Sequence, residues 1–308
     1  MDKQTEKKYN YWQWRTLITL MIGYALYYFV RKHFSVVMPA LESELGISKV
    51  QLGLFLTLNG IIYGISRFVN GLLADRFSRK ILMSAGLLLS ALTNFIICFS
   101  PSMNSFVNVL DAEGKATMTL VYIIGSLWVL NGYFQGMGVP PCISLMCHWI
   151  RPSELATKQS IWNASHSIGA GLISVMCGFI LKHYGYSSWQ LCFAIPAAIA
   201  VVGAIALFFT LKDTPSSVGL PEIEDMEKEE GKSQCEVEEN KAKELSGPAF
   251  KKFVNKLVFG NPLIWILAVS NFCIYVVRFT ILDWGTTFLT QFKGMEISAA
   301  GTVVAGSE

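Results

Sequence analysis

Seven stretches of this chain are long and apolar enough to cross a lipid bilayer: roughly 16–39, 52–74, 81–101, 119–147, 158–181, 189–211 and 262–290. A membrane helix needs about 20 mostly apolar residues, because it rises 1.5 Å per residue through a hydrocarbon layer about 30 Å thick. That requirement excludes most other folds. Inside lipid the backbone must satisfy its own hydrogen bonds, so a run of such segments folds as a helix bundle. The charges fit. Only 15% of the 308 residues are charged, and residues 212–260 hold 19 of the 47. A soluble domain carries about 25%. The composition excludes a soluble enzyme, a disordered tail and a nucleic-acid binder, and the net charge of +3 points to no acidic partner.

Loop charges orient the spans. Lys3, Lys7, Lys8 and Arg15 precede the first, and Arg76, Arg79 and Lys80 follow the second, whereas the connections after spans 1 and 3 hold only Lys49 and Lys115. The positive-inside rule predicts that the N-terminus, the 75–80 turn and the 212–260 loop are cytoplasmic. The first span is too long for a cleaved leader and reads as retained. An eighth span begins near Ile297 and stops at Glu308, so the chain reads as cut off. The expected domains are a six-helix bundle (1–211), a cytoplasmic loop (212–260) and the start of a second bundle (261–308). The seven cysteines, including Cys235 in the charged loop, show no metal spacing and read as small hydrophobes. No cofactor is expected.

Ionisable residues inside spans cost about 2.5–3.5 kcal/mol each near the helix centre on insertion scales. Arg31 and Lys32 interrupt span 1, Arg67 lies in span 2, His166 in span 5, and Arg278 and Asp283 in span 7. Lys32 and Asp283 can be read as snorkelling toward a membrane face. Arg67 can be structural, and His166 a core histidine. Arg31 and Arg278 resist such readings. Each follows a tyrosine by three residues, in Tyr28-Phe-Val-Arg31 and Tyr275-Val-Val-Arg278, which places the pair on one helix face. Interrupting residues at matching places in two halves point to a site at the interface of repeats. Forked guanidiniums suit phosphate, which accepts paired hydrogen bonds and carries nearly two negative charges near neutral pH. The residues alone thus support an anion-binding membrane protein, with phosphate the best-matched anion and His166 a pH-dependent third donor.

Gly132-Tyr-Phe-Gln-Gly136-Met-Gly138-Val-Pro140-Pro141 lies within an apolar helix and is no dinucleotide fingerprint; small residues at this spacing allow close helix packing, and the prolines a kink. Ser165 beside His166 lacks an acidic orienter and makes no hydrolase. Asn163-Ala-Ser165 spells a glycosylation sequon but lies within a span.

Gly71-Leu-Leu-Ala-Asp75-Arg76-Phe-Ser-Arg79-Lys80 resembles the loop signature between spans 2 and 3 of the major facilitator superfamily, whose charges fasten neighbouring helix ends. Four further stretches resemble its organophosphate:phosphate antiporters: residues 23–32, Phe134 to Cys142, Trp162 to Gly169, and Asp213 to Leu220. So does Tyr275-Val-Val-Arg278-Phe-Thr-Ile-Leu-Asp283-Trp284. The match runs from about residue 10 to the end. It implies an all-α major facilitator fold with a complete N-terminal six-helix bundle, helix 7 and the start of helix 8. It further implies that Arg31 and Arg278 bind phosphate, with His166, Tyr24, Tyr28, Tyr63, Tyr275, Asn163 and Arg67 beside them. Arg67 stands where glycerol-3-phosphate transporters carry lysine. Ile143-Ser144-Leu145 departs from their Gly-Arg-Thr, and Asp283-Trp284-Gly285 is closer to the receptor-like hexose-phosphate members. An acidic residue of the family's helix 8 aligns with Glu308.

The resemblance implies exchange of glycerol-3-phosphate or a hexose phosphate for inorganic phosphate, by rocking of two bundles in the bacterial inner membrane. The partners are these anions and the bilayer. One rival is a sugar-phosphate receptor that signals to a kinase; another is an inert product lacking the rest of the second bundle. No nucleophile–base pair or metal cluster supports an enzyme.

Overall fold

The computed structural model describes residues 3–74, 76–223 and 260–307. Nine α-helices carry them: α1 (Lys3–Leu45), α2 (Lys49–Ala74), α3 (Arg79–Phe99), α4 (Met118–Gln135), α5 (Val139–Trp149), α6 (Pro152–Tyr184), α7 (Leu191–Thr210), α8 (Pro262–Gln291) and α9 (Ile297–Gly306). The chain divides into two units. One comprises Met1–Leu220 with Leu282–Glu308, and the other is Pro221–Ile281. Most of the charged 212–260 loop, Cys235 included, lies outside the described residues.

In the first unit, α1 packs against α6 and α7, α3 against α7 and α4, α2 against α4, and α9 along α6. The core draws side chains from α1, α2, α3, α4, α6, α7 and α9, among them Phe34, Phe55, Trp128, Ile173 and Phe193. Ile22, Ile96, Val202 and Phe209 stay exposed, as helices facing lipid require. Among the described residues, five helical stretches are long and apolar enough to span a membrane: Lys49–Ala74, Arg79–Ser105, Pro152–Tyr184, Tyr186–Thr210 and Pro262–Gln291.

The two other expected spans differ for identifiable reasons. α1 has Arg31 and Lys32 in its middle, and its backbone leaves helical geometry at Val30 (φ −94°, ψ 20°). The expected fourth span is divided into α4 and α5, and Pro140 and Pro141 open the second piece, where missing N–H groups cost least. The glycines before the break pack closely, as their spacing predicts. A Cβ on Gly132 would lie 2.8 Å from the Asn59 carbonyl oxygen, and one on Gly136 would collide with the Ser66 hydroxyl. Asn59 Nδ2 donates to the Trp128 carbonyl (2.6 Å) and Ser66 Oγ to that of Tyr133 (2.5 Å), so α2 is clamped to α4 along this seam.

α1 ends at Gly46, whose φ of +69° a side chain would strain. Lys115 Nζ donates to the carbonyls of Ser43 (2.7 Å) and Glu44 (3.2 Å), placing positive charge at the negative end of the helix dipole.

Candidate functional site

The break at Val30 immediately precedes Arg31. Its guanidinium lies over the Tyr63 ring of α2 at 4.0 Å and over Tyr28, one turn back, at 5.7 Å. Arg67, one turn beyond Tyr63, covers the same ring at 5.6 Å. One tyrosine therefore carries two guanidiniums. The ring's negative face offsets part of their charge. Arg31 is half-buried and Arg67 exposed.

The cluster continues onto α6. Tyr28 lies 5.5 Å from His166, Tyr24 meets Tyr28 edge-on at 5.5 Å, and Trp162 stacks on Tyr24 at 4.7 Å. Tyr24, Trp162 and His166 are buried. Asn163 is exposed on α6, three residues before His166. Thus six expected site residues (Tyr24, Tyr28, Arg31, Tyr63, Arg67 and His166) form one connected group from α1, α2 and α6. Arg67 also lines a groove of about 450 Å³ between α2 and α5, with Gly71, Ser144 and Cys147.

The second unit repeats the local device. Arg278 lies over the Tyr275 ring at 5.8 Å, matching the 5.7 Å of Arg31 over Tyr28.

Lys32 and Asp283 do not snorkel. Lys32 Nζ lies 2.6 Å from Asp283 Oδ1, with the lysine side chain 6% and the carboxylate 22% exposed. Ser35 Oγ donates to the same oxygen at 3.4 Å. At that depth each charge gains more from its opposite than from reaching toward water.

The start of α3, beside the signature loop, is held by Asp213, the first residue of the Asp213 to Leu220 stretch. Asp213, just past α7, accepts from Ser78 Oγ (2.6 Å) and from the Lys80 N–H (2.9 Å), and so caps the start of α3. Arg79 Nε donates to Ser144 Oγ in the middle of α5 (2.7 Å), which ties the start of α3 to α5. Arg76 is exposed, and Asp75 lies outside the described residues, as does Glu308.

Residues 20–307 match the Major Facilitator Superfamily. The chain belongs to that superfamily and is an integral, multi-pass membrane protein. It is 36% identical over 294 residues to the probable hexose phosphate transport protein of Chlamydia pneumoniae, covering 94% of this chain and 59% of that one. The glycerol-3-phosphate transporter of Bacillus subtilis strain 168 is 35% identical over 295 residues (95% and 61%). The membrane sensor protein UhpC of Escherichia coli K12 is 32% identical over 301 (98% and 62%). The chain thus spans about three fifths of the length of these relatives. An inward-facing, unoccupied crystal structure of a bacterial homolog of the human lysosomal transporter Spinster shares the fold. Its TM-score is 0.68 at 18% identity, over 96% of this chain and 59% of that one.

Proposed function

We propose that this chain belongs to a secondary transporter that exchanges an organophosphate, glycerol-3-phosphate or a hexose phosphate, for inorganic phosphate. Relatives named for both substrates support the organophosphate class. The observation that carries the reading is the Tyr63 ring shared by Arg31 and Arg67, beside His166. Such a group binds a compact dianion and releases it to water at little cost. Arg31 and Arg278 each contribute a guanidinium to the phosphate during an alternating-access cycle. Tyr24, Tyr28, Asn163 and Tyr275 contact the organic part. Without an anion the gathered positive charge disfavours reorientation, which couples the two fluxes. The N-terminus, the signature loop and the 212–260 linker face the cytoplasm.

The test is exchange in proteoliposomes loaded with labelled inorganic phosphate. External glycerol-3-phosphate or glucose-6-phosphate is expected to release the label, and the more effective one names the substrate. The similarity to UhpC and the Asp283-Trp284-Gly285 sequence favour one second reading, a sugar-phosphate receptor. Saturable glucose-6-phosphate binding without exchange, together with co-purification of a kinase, would select it.

A further inference from the structure

The non-helical turn at Val30 is held from behind. The Val30 carbonyl accepts two side-chain amides, Asn131 Nδ2 of α4 at 3.1 Å and Asn94 Nδ2 of α3 at 3.2 Å. Both asparagines and Val30 are wholly buried. The amides are themselves tied down. Ser90 Oγ donates to Asn131 Oδ1, Gln135 Nε2 donates to Ser90 Oγ (2.7 Å), and Asn94 Nδ2 also donates to the Ser90 carbonyl (2.8 Å). These bonds favour one arrangement of the two amide N–H groups, because losing the Val30 carbonyl leaves the donors unpaired in an apolar interior. None of the four network side chains belongs to the Arg31–Tyr63–His166 group.

The geometry points to Asn94 and Asn131 as positioning residues for the anion site: by fixing the broken turn of α1 they set the direction in which Arg31, the next residue, leaves the helix. This inference rests on the proposed anion-binding role of Arg31. The physical link is short. A guanidinium binds phosphate through paired donors with strict direction, and Arg31 must also stay over the Tyr63 ring. A regular helix at Val30 would rotate everything after it. Both donors come from α3 and α4, neither of which carries a residue of the Arg31–Tyr63–His166 group.

The experiment is a double-mutant cycle read by binding of labelled inorganic phosphate to the purified protein in lipid nanodiscs. The variants are Asn131→Leu, Arg31→Gln and the two together, each with a thermal unfolding curve. The expected result is that Asn131→Leu weakens phosphate binding by about tenfold, as small misplacements of a binding group do. It should cause no further loss in the Arg31→Gln background, because its effect passes through that side chain. A merely structural asparagine would lower the unfolding temperature but leave the affinity of the folded fraction unchanged. If Asn131→Leu does not fold, Asn131→Ser and Asn94→Ser take its place, since serine can bond to its own helix and leaves no orphan donor. Wild-type-like phosphate affinity in the asparagine variants, or equal loss with and without Arg31, overturns the positioning role and leaves the anion site standing. Phosphate binding that is indifferent to Arg31→Gln overturns both.

Discussion

Lys32 on α1 and Asp283 on α8 form a close ion pair, Nζ to Oδ1 2.6 Å, across 251 positions of sequence. The lysine is buried and the carboxylate mostly so. Removing one partner of a buried pair costs about 3–5 kcal/mol, because the survivor stays charged and unpaired; partial exposure of Asp283 reduces this to about 2 kcal/mol. Lys32→Met is therefore expected to lower the unfolding temperature in detergent by several degrees. Lys32→Met with Asp283→Leu should recover most of the loss. A double variant as unstable as the sum of the singles would argue against the pairing.

On the proposed reading, arginine at positions 31 and 278 serves for shape as well as charge. Arg31→Lys and Arg278→Lys keep a cation but lose the planar fork, so phosphate exchange is expected to fall by about tenfold or more in each. The measurement is initial exchange rate against phosphate concentration. Unchanged exchange in Arg278→Lys would sink the proposal that this residue grips the anion.

On the proposed reading, the Tyr63 ring is the platform for both guanidiniums. Cation–π contacts contribute about 0.5–2 kcal/mol depending on exposure. Tyr63→Phe keeps the ring face and is expected to retain phosphate binding close to wild type. Tyr63→Leu removes the platform under Arg31 and Arg67 and should weaken binding by about three- to thirtyfold. Equal loss in both variants would instead place the function on the hydroxyl.

At the α2–α4 seam, Gly136 has no room for a side chain beside Ser66. Gly136→Val is expected to destabilise the chain by about 1–3 kcal/mol through overpacking. Gly136→Val combined with Ser66→Gly should restore part of it. Unfolding curves of the two variants decide the matter.

Glu296, at the start of α9, is held below the usual carboxylate range by hydrogen bonds from Lys182 and Ser298. A carboxylate depressed in the folded state contributes stability above its unfolded pKa and loses it as pH falls through the folded value. The tie between α6 and α9 should therefore be full at neutral pH and weaken below about pH 4.5, with high salt weakening it at any pH. Protection factors of the α9 amides, corrected for intrinsic exchange at each pH, are expected to fall across that range in the wild type and to stay flat in Glu296→Gln.

Much of this was legible in the chain itself. Apolar runs separated by charged turns dictate a membrane helix bundle, because lipid leaves the backbone no other way to satisfy its polar groups. Tyr28 and Tyr275, each three residues before an arginine, announce a shared helix face, and the local geometry is equal at 5.7 and 5.8 Å. Gly132 and Gly136 announced a close seam. These are properties of a single helix or of its immediate neighbours.

What tertiary structure decided lies between helices. Nothing local in Lys32 names Asp283 as its partner, and nothing in Asp213 says that it caps α3. Asn94 and Asn131 were visible as polar residues in apolar spans, yet their common target, the Val30 carbonyl, lies on a third helix. Helical periodicity says which residues share a face. Which face meets which neighbour depends on how the helices pack, and that packing brought Arg31 of α1 onto the Tyr63 ring that Arg67 already shares on α2.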